Sequence, residues 1–203
     1  MNPLVYPYSL PPLDYAFNAL EPYIGEWTMR IHYTQNHAKY VKKANEMMAK
    51  RPDLQRLPLP FLLDVVDGPL FDMLAQHWNH TFYWRTLRPP HPNSRPTGPI
   101  AEIINNYFGG INYFKEALVE TSKELFGSGW LWVTLCQDGD VQMEITKDAD
   151  NPLVHGRVPI IVQDLWEHAY HCDYGAHRTQ YMEGFIDLIN WPRINERLYQ
   201  LET

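Results

Sequence analysis

The stretch "VPIIVQDLWEHAYHCDY", residues 158–174, changes character within a few positions. Its first five residues form a short apolar run rich in β-branched side chains, which reads as a buried strand. From Asp164 onward it holds three carboxylates, two histidines, a tryptophan, two tyrosines and a thiol. A strand ending on Asp164, followed by an element carrying His168, can point two ligand atoms at whatever packs against it.

The segments around it set the fold class. Upstream, "GWLWVTLCQDGDVQMEIT" is two β-rich runs around Gln137-Asp138-Gly139-Asp140, an Asp-Gly turn that predicts a hairpin. With the run at 158–163 this makes three strands. Helical segments are expected near Ile100–Tyr107 and Tyr113–Leu125, and "DLWEHAYHCDYGAHRTQYMEGFIDLINW" returns to helix. Before them "RPPHPNSRPTGP", residues 88–99, reads as a linker. The run from about Glu26 to Met48 has no Gly or Pro and predicts one long helix. "KRPDLQRLPLP" breaks it, and a second helix follows from about Leu70 to Leu87. The first dozen residues carry four prolines and should be extended, with helical spacing starting near Asp14 as an N-cap. The expected fold is α+β: an N-terminal antiparallel helical hairpin domain, residues 1–90, then a lobe of helices around a small three-stranded antiparallel sheet, residues 91–203.

At 203 residues and 45% hydrophobic content the chain can bury its own core without staples. Cys136 and Cys172 are too few for a disulfide framework, which suggests a reducing compartment. Cys172 is expected to be buried. A net charge of −7 without a basic stripe argues against a nucleic-acid partner. No segment approaches eighteen consecutive apolar residues, and "MNPLVYPYSLPPL" has no basic stretch before an apolar run. The expectation is a chain without a membrane partner, cytoplasmic, or organellar if a presequence has been removed.

His32, Asn36 and Tyr40 on the first expected helix are spaced by four and should share a face, as should Gln76, His80 and Trp84 on the second. A lone histidine on either face would ordinarily be structural. Together with Asp164 and His168, however, His32 and His80 make a set of three imidazoles and one carboxylate. That set suits iron, manganese or zinc better than calcium or magnesium.

Four blocks, "HYTQNHAKYV", "AQHWNHTFYW", "FGSGWLWV" and "DLWEHAYHCDY", resemble in order and separation the signatures of the iron/manganese superoxide dismutases. The resemblance implies that His32, His80, Asp164 and His168 bind one iron or manganese ion per subunit, with a solvent molecule as fifth ligand. It also implies superoxide as substrate and a homodimer or tetramer. Tyr40 matches the family's gateway tyrosine and Trp130 its pocket tryptophan, while Trp78, Trp132 and Trp166 match aromatic packing around the metal. Glu167 matches the residue that bonds the partner subunit's ligand histidine. Gln76, with Ala149 on the hairpin side, resembles the iron type, in which the tuning amide comes from the second helix. Zinc cannot cycle between oxidation states and does not suit such chemistry; the placement of Gln76 and Ala149 makes iron preferred and manganese the alternative.

Three positions depart from the family. Asn36 and His171 stand where a histidine and a tyrosine usually bond across the dimer, so the pair would be a joint replacement. Gln35 replaces a common lysine, which leaves Lys39, Lys43 and above all Arg178 to guide the anion. The reading is therefore a superoxide dismutase using one-electron metal cycling. The rival is a metal-binding relative with weak dismutase activity, acting as metal carrier or interaction protein.

Overall fold

The computed structural model describes residues 4–201. Residues 1–3 of the proline-rich lead-in lie outside the described residues, and residues 4–13 are neither helix nor strand. It is tied down by Leu59 N–H donating to the Leu4 carbonyl at 2.8 Å, and by the Asn45 amide exchanging two 2.8 Å hydrogen bonds with the Tyr8 backbone. Helix does not begin near Asp14 as expected. Residues 17–23 are turns closed by short-range bonds such as Ala19 N–H to Ala16 O and Tyr23 N–H to Leu20 O. Pro22 has no N–H to extend a ladder and Gly25 lowers propensity, so the first helix starts at Glu26.

The long helix is continuous but not α throughout. α1, Glu26–Ile31, passes through a π-helical stretch, His32–His37, into α2, Ala38–Met48. In a π turn the bonding step is i→i+5, so the residue facing the same way as His32 moves towards His37. His32 and His37 are both buried, while Asn36 is only half-buried. The reading of His32, Asn36 and Tyr40 as one regular α-helical face is corrected accordingly.

After the short α3, Leu59–Leu62, α4 runs from Gly68 to Thr86 and opens with proline in its first turn. Every residue from Leu74 to Trp84 is buried. The cause is its position, packed against α2 on one side and the sheet on another. α5, Pro99–Phe108, ends at Gly109 in a left-handed conformation with φ 77°, and the Gly109 and Gly110 N–H groups close on Asn105 and Ile104 carbonyls. α6 is Ile111–Lys123.

The sheet has strand order β2-β1-β3, all antiparallel, from β1 Gly129–Leu135, β2 Val141–Lys147 and β3 Val158–Asp164. Pro159 sits in β3, an edge strand, where its missing N–H is tolerated. Next to it the register shifts, with Val133 opposite Ile161 but Thr134 opposite Pro159, so Ile160 is an extra residue on β3. The bulge rephases the strand and sets Asp164 opposite Trp130 on the central strand. Gly129 must be glycine, because a Cβ there would lie 2.1 Å from the Thr146 carbonyl oxygen.

A single 3₁₀ turn, Glu167–Ala169, carries His168, and α7 His171–Tyr174, α8 Arg178–Leu188 and α9 Trp191–Leu201 complete the chain. The end of α4 is stitched to the α8–α9 corner by a Leu87–Ile189 bridge and by Arg88 N–H to Leu188 O and Asn190 N–H to Thr86 O, both 2.8 Å. Apolar side chains from both halves form one connected core. Cys172 is exposed, contrary to expectation, because none of the residues of α7 is buried. Among the described residues no helix is long and apolar enough to cross a membrane.

Candidate metal centre

His32 from the π stretch, His80 from the middle of α4, Asp164 from the end of β3 and His168 from the 3₁₀ turn bring one ligand atom each to a common point. These four atoms lie within 4.8 Å of one another, near enough for a single ion to serve them all. The Nε2 atoms of His32, His168 and His80 stand 3.1, 3.4 and 3.6 Å from Asp164 Oδ2. None of the four atoms has a hydrogen-bond partner, although all are buried. Four convergent unpaired buried donor atoms would be costly in a structural cluster. The donor set fits an iron, manganese or zinc ion.

The protonation states agree with that use. Burial drives the His32 imidazole down to about 4, helped by the charge of His168 and opposed by Asp164. Burial likewise holds His80 well below its ordinary value, helped by His32. For Asp164 burial pushes upward, but the charges of the neighbouring His168 and His32 imidazoles win and keep the carboxyl far below the usual carboxylate range. Near neutral pH, His32 and His80 therefore offer lone pairs and Asp164 a negative charge. Orientation is fixed from behind: His80 Nδ1 lies 2.7 Å from the Gln76 carbonyl, so it carries the proton and leaves Nε2 free. Asp164 Oδ1 accepts from Trp166 N–H at 2.8 Å.

Aromatic rings enclose the cluster. Tyr83 stacks on His32 at 5.7 Å, Trp84 meets it edge-on at 4.6 Å, Trp130 stands edge-on to His80 at 5.0 Å and Trp166 stacks on His168 at 5.6 Å. The indole N–H groups of Trp130 and Trp166 both donate to the Asp148 carbonyl, at 3.1 and 3.2 Å. Asp148 has φ 52°, the one positive φ outside glycine among the described residues, and so bends the chain after β2 over the cluster. Two sequence comparisons bear on this arrangement. "Iron/manganese superoxide dismutases, alpha-hairpin domain" matches residues 7–88, and the C-terminal domain of the same family matches residues 96–197. The chain belongs to the iron/manganese superoxide dismutase family. It is 40% identical to a superoxide dismutase named for iron from Pseudoalteromonas translucida, over 93% of this chain and 97% of that one. It is also 40% identical to one named for iron from Plasmodium falciparum, over 94% and 96%. A superoxide dismutase named for manganese and iron from Methylomonas sp. is 36% identical over 94% and 96%.

The other residues singled out from this dismutase-family sequence fall at different distances from the cluster. Tyr40 lies 5.3 Å from His80, ring to ring, and burial together with the negative charge of Asp164 pushes its hydroxyl up to about 12. Gln76 is buried and its Oε1 has no hydrogen-bond partner, while Ala149 is buried with its carbonyl accepting from Asn79. Trp78 stacks on Phe82, and Trp132 donates to Thr146 Oγ1 at 2.8 Å, so both belong to the support behind the centre. Among the described residues neither Asn36 nor His171 has a side-chain hydrogen-bond partner, and His171 is exposed. Glu167 is exposed and, among the described residues, forms no ion pair. Arg178 donates to the Leu125 and Gly127 carbonyls and lines a groove with Phe126 and Glu167. Lys39 and Lys43 are exposed.

One part of the centre escaped the sequence reading. Trp84 Nε1–H donates to His37 Nδ1 at 2.9 Å, which leaves the His37 proton on Nε2, and that atom lies 2.8 Å from His77 Nδ1. The chain of donors therefore runs Trp84 to His37 to His77. It ends on His77 Nε2, buried without a partner, beside the ring of Tyr8 at 5.5 Å. His37 stacks on His80 at 5.2 Å, so this buttress braces a ligand from the side away from the cluster. The spacing of His77, His80 and Tyr83 by three along α4 was the available signal for that face. The π stretch that turns His37 onto it left no trace in the sequence.

Proposed function

We propose that this chain dismutes superoxide at one iron ion held by His32, His80, Asp164 and His168. The observation that carries the reading is the convergence of four buried, unpartnered donor atoms in a family of superoxide dismutases. The reaction takes two superoxide anions and two protons to one oxygen and one hydrogen peroxide. A bound iron or manganese supplies the one-electron acceptor and donor, which zinc does not. Asp164 brings a single negative charge to the ligand set, and the His32 and His80 imidazoles remain neutral. The Tyr40 hydroxyl stays protonated across the physiological range and holds a proton at the edge of the pocket. Trp130, Trp166 and Tyr83 keep bulk water off the ligands and strengthen electrostatics there. Arg178, which donates to the uncharged Leu125 and Gly127 carbonyls, is the cation proposed to draw an anion towards an acidic protein.

The preference for iron rests on Gln76, whose buried amide oxygen is unpartnered one turn before His80, together with a residue unable to hydrogen-bond through its side chain, Ala149, after β2. A homodimer is part of the proposal. Glu167 has no ion pair among the described residues and would bond the partner subunit's His168, while Asn36 and His171 would pair between subunits. Turnover per bound metal atom, measured on separately iron-loaded and manganese-loaded protein, tests the reading. Iron should support the higher rate. A higher rate with manganese would overturn the metal assignment, and negligible turnover with both would leave a metal carrier.

A further inference from the structure

Far from the ligand cluster, the last turn of α4 and one face of α9 enclose a concavity of about 70 Å³ lined by Arg85, Arg193, Glu196, Arg197 and Gln200. Three guanidinium groups meet there in a protein whose net charge is −7. Among the described residues the one carboxylate lining it, Glu196, is bonded to Arg193 at 3.0 Å. Arg197 lies flat over the Phe82 ring, 3.7 Å from its centroid, and donates to the Ile160 carbonyl at 2.6 Å. These contacts hold its fork in place without neutralising it. Arg85 is half-buried and, among the described residues, has no ion pair, though the charge of Asp14 favours its charged form.

We propose that this concavity is a binding site for a single tetrahedral oxyanion of the phosphate class, held by Arg85, Arg193 and Arg197. Its size suits that ligand. At about 70 Å³ it has room for a group of that kind. Its chemistry suits it too, because the guanidinium fork matches phosphate oxygens and Arg197 is pre-set by its stack and its carbonyl bond. The cationic groups disfavour one another: burial lowers Arg197 to about 9 with Arg193 and Arg85 adding to the effect, and burial and Arg193 lower Arg85. An anion between them relieves that repulsion and bridges α4 to α9.

Free phosphate and the phosphate group of a small monoester share this chemistry, and the test separates them. Inorganic phosphate and phenyl phosphate are titrated into the metal-loaded protein by calorimetry at constant ionic strength, beside Arg193→Glu and Arg85→Gln. Arg193 is exposed, and circular dichroism and metal content confirm that its variant is folded. Saturable binding of one phosphate per chain, weakened at least about tenfold in each variant, is expected from loss of one charge-assisted contact. Binding of both ligands names the phosphate group as the recognised unit; binding of inorganic phosphate alone restricts the site to the free ion. No saturable binding of either ligand would overturn the proposal. So would undiminished affinity in folded Arg193→Glu and Arg85→Gln, which would place the anion elsewhere, for example beside the metal ligands.

Discussion

Replacing His77 by Leu tests whether the Trp84–His37–His77 chain stabilises the centre as a unit. His77 is fully buried and accepts the His37 Nε2–H at 2.8 Å, so Leu at this position leaves that N–H unpaired in an apolar site. The cost is about 1–3 kcal/mol, partly offset because the unpartnered His77 Nε2–H disappears as well. His37→Leu strands the Trp84 N–H and the His77 Nδ1 together. In the double variant only the Trp84 N–H is lost, so the two changes should fall short of additivity by about 1 kcal/mol or more. A pH signature comes with it. Burial lowers His77 to about 4 and lowers His37 well below its ordinary value. A depressed histidine leaves its stability fully present above the unfolded value near 6.5. As pH falls below that, the unfolded chain takes up a proton that the folded one refuses, and stability drops until about pH 4 for His77. For His77 the gap is worth about 3 kcal/mol, at about 1.4 kcal/mol per pH unit. Urea midpoints of metal-loaded protein at pH 8, 7, 6 and 5 should therefore fall more steeply in the parent than in His77→Leu, by up to that slope. Proton uptake on ligand release is common to both and cancels in the difference. Additive single effects with parallel pH profiles would refute the linked chain.

Other expectations follow from single contacts. Gln76→Ala should leave the metal bound, by elemental analysis, yet lower turnover by about one to three orders of magnitude, as changes behind a ligand shell commonly do. Glu167→Ala should weaken dimer and metal retention together; light scattering and metal content on one sample check this, and an intact, fully loaded dimer would show a mere surface carboxylate. Asn36→His and His171→Tyr should each reduce activity and recover in combination, with an interaction energy on the order of 1 kcal/mol, whereas additivity would indicate unrelated substitutions. Gly129→Ala forces a Cβ to within 2.1 Å of a backbone oxygen at the β1–β2 pair, so thermal unfolding should show a loss of more than about 2 kcal/mol.

Local sequence decided the elements and most of the chemistry. The Asp138-Gly139 turn, the strand leading to Asp164, the gap-free run from Glu26 and the glycine after Phe108 each carry their instruction within a few residues, because periodicity and turn conformation are short-range properties. The four ligand residues were legible as types at suitable places in a resembling sequence, and the structure brings all four together. Tertiary packing decided the rest. The π stretch that buries His37 in place of Asn36, and the extra residue at Ile160 that sets Asp164 opposite Trp130, answer to partners 40 and 34 positions away, beyond any helix or strand period. The exposure of Cys172 on α7 and the meeting of Arg85 with Arg193 and Arg197 have the same origin. Each depends on where one element lies against another, and burial and charge proximity exist only once the chain has packed.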